Sequence, residues 1–186
     1  MNLGQMMMVV AALSILGILV LNTNTTVLET NDTQNLSEFG INAISLATSL
    51  VEEANGKMFD EVIADSMTPQ LSDPTSLTGA VTLGPDGGEG YRTPGADFDD
   101  FDDFDGLVLA YKSPLDSSVT AGATKEFVIP GIRAKFIVSS KVEYVAAANL
   151  DIASAFPTWH KKITVTVSSP AIKDTLVYPA IMSYWN

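Results

Sequence analysis

The residues densest in chemistry are six aspartates within ten positions, Asp97-Phe98-Asp99-Asp100-Phe101-Asp102-Asp103-Phe104-Asp105-Gly106. Carboxylates this close repel one another unless protons or a cation intervene. Calcium suits them, because it takes about six to eight oxygen ligands in flexible geometry. Asp97, Asp99, Asp100, Asp102, Asp103 and Asp105 are therefore candidate calcium ligands. The regular helix–loop–helix calcium pattern does not fit: with Gly106 as its sixth residue, its first falls on Phe101 and its twelfth on Lys112. A calcium site here has to be irregular, and the competing reading is a solvated acidic face. Phe98, Phe101 and Phe104 recur every three residues, the spacing that stacks side chains on one side of a tight turn. Burying the three rings would anchor the segment with its six carboxylates outward.

Other candidate groups point to no catalysis. His160 is the single histidine, beside Trp159 and Lys161-Lys162, and reads as surface. Gly84-Pro85-Asp86-Gly87-Gly88-Glu89-Gly90 lacks the following Lys-Ser/Thr of a phosphate loop and reads as a turn. No nucleophile elbow is present, and the absence of cysteine excludes thiol catalysis, disulfides and thiolate metal sites. The chain is expected to be no enzyme and to need no cofactor other than the candidate calcium. Its net charge of −12 argues against nucleic acid as a partner.

The elements that would position these groups begin with Met6 to Leu21, MMMVVAALSILGILVL, which contains no charge and no proline. The first charged side chain is Glu29 and the first cation Lys57. As a helix, residues 1–21 would be about 30 Å long, near the thickness of a bilayer's hydrocarbon core. A secretory signal needs a basic start and a small-residue cleavage site after the apolar run, and an ordinary anchor needs Lys or Arg on its cytoplasmic flank. Their absence leads to the expectation that a basic leader has already been removed. A simple bitopic anchor is the plain alternative.

Asn22 to Asn35 holds four Asn and five Thr, residues that compete for helical hydrogen bonds, so the helix is expected to weaken there. Asn24, Asn31 and Asn35 fit the glycosylation acceptor pattern, which chance readily produces in a polar tract. Helical spacing returns with Leu36, Phe39, Ala43, Leu46, Ala47, Leu50, Val51 and Ala54, weakens at Asn55-Gly56, and could continue through Lys57 to Val62. Residues 1–62 are thus read as an N-terminal helix, apolar over 1–21 and amphipathic over 36–62, with a β-rich domain over 63–186. Met67 to Gly95 reads as a long loop, with one short strand at Ala80 to Leu83. Strands are expected at 107–111, 136–144, 162–168 and 176–185, with a turn at 169–174. The fold class is α+β, a long N-terminal helix packed on a C-terminal antiparallel sheet.

The opening Met1-Asn2-Leu3-Gly4-Gln5-Met6-Met7-Met8-Val9-Val10-Ala11-Ala12-Leu13-Ser14-Ile15-Leu16-Gly17-Ile18-Leu19 resembles the mature N-terminus of type IV pilins and pseudopilins, in register from the first residue. The Asp-rich segment, and the later Lys162-Ile163-Thr164-Val165-Thr166-Val167, resemble minor pilins of the mannose-sensitive haemagglutinin type. The resemblance implies a subunit held in the inner membrane before a pilus assembly machinery incorporates it, and afterwards an extracellular filament of identical subunits with a methylated Met1. Packing in the filament core would fall to Met1, Gln5, Met6, Val9, Val10, Leu13, Leu16 and Leu19. The family usually has Glu at the fifth position; Gln5 is cheaper to bury and still accepts a hydrogen bond from an ammonium. Minor pilin, secretion pseudopilin and membrane-anchored calcium-dependent binding module are the alternatives.

Overall fold

The computed structural model describes residues 2–64 and 71–185. Part of the long loop expected at Met67 to Gly95 therefore lies outside the described residues, as does Met1. The chain forms two compact units, Met1–Gly40 and Ile41–Asn186.

Helix α1 runs unbroken over Leu3–Asn55, through the polar stretch expected to weaken it. The reason lies in where the hydroxyls go. Thr23, Thr25, Thr26, Thr30, Thr33 and Ser37 each donate to the carbonyl one turn back, at 2.8–3.2 Å. Bonded this way, they join the helical ladder instead of offering the backbone another conformation. In the first unit the side chains from Leu3 to Leu28 are exposed on every face. In the second, α1 buries Ala43, Ala47, Leu50, Val51 and Ala54, a stripe at three- and four-residue spacing. That stripe begins at Ala43, later than the expected start at Leu36, which is exposed.

The helix does not continue to Val62. Gly56 N–H bonds back to the carbonyls of Glu52 and Glu53, and the chain then pairs with the acidic segment through a Met58–Asp100 bridge. A separate short helix α2 follows at Glu61–Ala64. Ala80 to Leu83 is no strand but a turn, closed by the backbone and hydroxyl of Thr82 on the Gly79 carbonyl.

Six strands form one sheet: β1 Val108–Lys112, β2 Lys125–Val128, β3 Phe136–Ala146, β4 Asn149–Ala153, β5 His160–Ser168 and β6 Leu176–Ser183. Their order is β2-β1-β3-β5-β6, with β4 also on β3. The four expected strands are present, and β2 and β4 are additional. Pairing is antiparallel except between β1 and β2, which run parallel. Burial alternates strictly along β5, with Lys161, Ile163, Val165 and Val167 inward. Their partners on β3, including Val138, Val142 and Tyr144, complete this part of the core.

Candidate functional site

The acidic segment is anchored by its rings, as its spacing predicts. Phe98, Phe101 and Phe104 are buried, and Phe98 meets Phe104 edge-on at 5.3 Å. Tyr91 closes the cluster at 5.7 Å from Phe98 and 6.2 Å from Phe104. Within the acidic segment, Asp102–Phe104 forms a 3-10 turn. Gly106, at φ +71, then redirects the chain toward β1 and gives its N–H to the Ser140 carbonyl.

The carboxylates do not all face water. Asp97 and Asp99 are exposed and Asp105 is half-buried, but Asp100, Asp102 and Asp103 are 1–2 % exposed. The backbone of the turn explains the difference, because its N–H groups need acceptors inside the protein. Asp100 Oδ1 accepts from the N–H groups of Asp102 and Asp103 at 2.8 and 3.1 Å. Asp103 Oδ2 accepts from those of Asp99 and Asp100 at 3.0 and 3.1 Å. Asp105 Oδ1 reaches the Val142 N–H at 2.7 Å, fastening the segment to β3.

Lys161, next to the histidine expected at the surface, is fully buried beneath this segment. Its ammonium donates to the Phe59 carbonyl at 2.8 Å, to Asp60 Oδ2 at 2.7 Å and to Asp102 Oδ1. The rings of Phe59 and Tyr144 lie 4.8 and 5.1 Å from Nζ. Asp60 also accepts from the N–H and hydroxyl of Thr78 at 3.1 Å and from the Tyr144 hydroxyl at 2.9 Å. One lysine thus ties together β5, the chain after α1 and the acidic segment. The parity of Lys161 with Ile163, Val165 and Val167 was its signal in the sequence; Asp60 had none.

Burial and neighbouring charge divide these acids. Burial pushes Asp60 up, but Lys161 and the surrounding donors outweigh it and hold the carboxyl below its ordinary range. Burial raises Asp102 and Lys161 only partly opposes it. Asp100 is pushed up to about 9, first by burial and then by the charges of Asp102 and Asp103. Burial also raises Asp103, against the pull of its backbone donors, and raises the Tyr144 hydroxyl, helped by Asp60.

A second grouping lies beside the first. Carboxylate oxygens of Glu89, Asp99 and Asp103 come within 4.8 Å of one another, a spacing that could hold a cation. Glu89 comes from the glycine-rich turn and is raised to about 7, first by burial and then by the charge of Asp103. Its Oε2 is buried with no hydrogen-bond partner among the described residues. Of the six expected ligands, then, only Asp99 and Asp103 come together with a third acid. Asp97 pairs with Lys57 at 3.7 Å, Asp100 and Asp102 belong to the lysine network, and Asp105 binds β3.

In the other unit, Met6, Val9, Val10, Leu13, Leu16 and Leu19 are all at least half exposed. Gln5 caps the helix start, its Oε1 accepting from the Asn2 N–H at 3.4 Å. His160 is half-buried with Nδ1 2.8 Å from Ser183 Oγ. Among the described residues, α1 is the one helix long and apolar enough to cross a membrane. The chain matches no protein-family model, no curated protein and no solved structure.

Proposed function

We propose that this chain is a structural subunit of an extracellular filament of the type IV pilus kind. The observation that supports this reading is the uncharged helical stretch Met6 to Leu21, whose large side chains are exposed all round. A surface of that kind needs cover, since burying apolar area is worth about 25 cal/mol per Å² wherever water is the alternative. A bilayer covers it before assembly and the same stretch of identical subunits afterwards. Lipid is as apolar as leucine, so leaving the membrane gains little from the hydrophobic effect; close packing and an assembly machinery must carry that step. The β-bearing unit would lie outside the core and meet the surroundings. No catalytic group is required for this role. Electron microscopy of material sheared from expressing cells, with antibody against the β-bearing unit, tests it: labelled filaments are expected, and their absence overturns the reading.

A second reading is a membrane-anchored, calcium-dependent surface module. The approach of Glu89, Asp99 and Asp103, with a buried Glu89 oxygen that has no hydrogen-bond partner among the described residues, favours it. Extraction in detergent as a monomer whose melting temperature calcium raises, without filaments on cells, would select this reading over the first.

A further inference from the structure

We propose that Lys161 and Asp102 condense into an intramolecular amide, Lys161 Nζ bonding to Asp102 Cγ with loss of one water. This does not rest on the filament reading. The geometry is that of two reactants held together. Lys161 is fully buried, Asp102 is 2 % exposed, and Nζ already donates to Asp102 Oδ1. Such enforced contact replaces a bimolecular encounter and supplies much of what amide formation lacks in solution. The rings of Phe59 and Tyr144 wall the amine at 4.8 and 5.1 Å.

The atoms balance without a co-reactant. The ammonium passes a proton to the Asp102 carboxylate, leaving a neutral amine and a neutral acid. The amine lone pair attacks Cγ, and the C–N bond forms as the carbonyl π pair moves to oxygen. The nitrogen then loses a proton, the Asp102 hydroxyl gains one, and the C–O bond breaks to release water. Nothing is oxidised or reduced. Asp100 is placed to relay that last proton: its Oδ1 accepts from the Asp102 N–H at 2.8 Å, and its Oδ2 is buried with no hydrogen-bond partner among the described residues. Asp60 keeps the amine oriented, at 2.7 Å from Nζ. The product would staple the acidic segment to β5, in a chain that has no cysteine with which to form a disulfide.

Tandem mass spectrometry of a digest of the full-length protein tests this. A branched peptide joining Lys161 to Asp102, lighter by one water than its two linear parts, is expected, and it should vanish in Lys161→Arg and in Asp102→Ala. Because those variants also remove contacts that hold the fold together, Asp100→Asn is followed as well. It should keep the circular dichroism of the native sheet while amide formation after refolding slows by roughly a hundredfold, the scale of a lost proton relay. Recovery of Lys161 only in linear peptides from folded protein overturns the proposal. So does a branch that survives in Asp102→Ala, or a water loss confined to a succinimide at Asp105-Gly106.

Discussion

Lys161 Nζ and Asp60 Oδ2 lie 2.7 Å apart and fully buried, although 101 residues separate them in the chain. Asp60 follows the end of α1 by five residues, and Lys161 sits at the start of β5. Their contact therefore fixes where the chain leaving the helix meets the sheet. Replacing the lysine would leave the buried Asp60 carboxylate without its cationic partner. Lys161→Met is expected to cost about 3–5 kcal/mol, the range for removing one partner of a buried pair. Urea unfolding of the β-bearing unit, read by tryptophan fluorescence, measures it; a loss under 1 kcal/mol would refute the assignment.

Stability should be greater in mild acid than in mild alkali. Asp100 and Glu89 have folded values raised to about 9 and about 7, so the native state binds more protons than the unfolded chain above their ordinary values of 3.8 and 4.5. Stability then falls with rising pH, through roughly 4.5 to 7 for Glu89 and on toward 9 for Asp100. Asp60 acts oppositely: its lowered value contributes stability that is lost as pH falls through that value, below 3.8. The melting temperature, measured with chelator present, is expected to peak on the acid side of neutrality. Asp100→Asn, which mimics the protonated acid, should flatten the alkaline fall. A peak at pH 8 in both proteins would contradict the charge distribution described.

Leu16→Asp should separate the two units. Leu16 is 55 % exposed and belongs to the first unit, so the β-bearing unit should melt as before. A carboxylate at mid-stretch is expensive in lipid and in any packed helix core, about 2.5–3.5 kcal/mol on insertion scales. On the proposed filament reading, filaments should disappear from electron micrographs while the β-bearing unit keeps its melting temperature. Normal filaments from this variant would remove the core-packing role of the stretch.

Leu50→Ala probes the other half of the same helix. Leu50 is 2 % exposed within the buried stripe of α1, and truncating it should cost about 2–5 kcal/mol by lost burial and the cavity left. Thermal unfolding of the unit reports this directly, and a change under 1 kcal/mol would mean the stripe is not a packed surface.

Gly106→Ala tests the turn that ends the acidic segment. At φ +71 any side chain is strained, while an added Cβ would meet nothing within 4 Å. The cost should therefore be purely conformational, about 1–2 kcal/mol, and smaller for Asn than for Ala. A much larger loss would show that the turn tolerates no shift of the acidic segment against Ser140.

Local patterns in the sequence determined a good deal. The uncharged run from Met6 to Leu21 specified a helix of membrane length. The alternation along β5 specified which of its faces is buried, and the three-residue spacing of Phe98, Phe101 and Phe104 specified a ring-anchored turn. These are legible because each rests on a short-range period imposed by backbone geometry. The helix through Asn22 to Asn35 was not, because the same threonine hydroxyl can oppose a helix or, bonded one turn back, remain within it. Tertiary structure alone decided which aspartates face water, that Glu89 joins Asp99 and Asp103, and that Lys161 meets Asp60 and Asp102. A buried charge is tolerable only where distant chain segments bring its counter-charge and donors together. Residue type and spacing carry no record of that meeting.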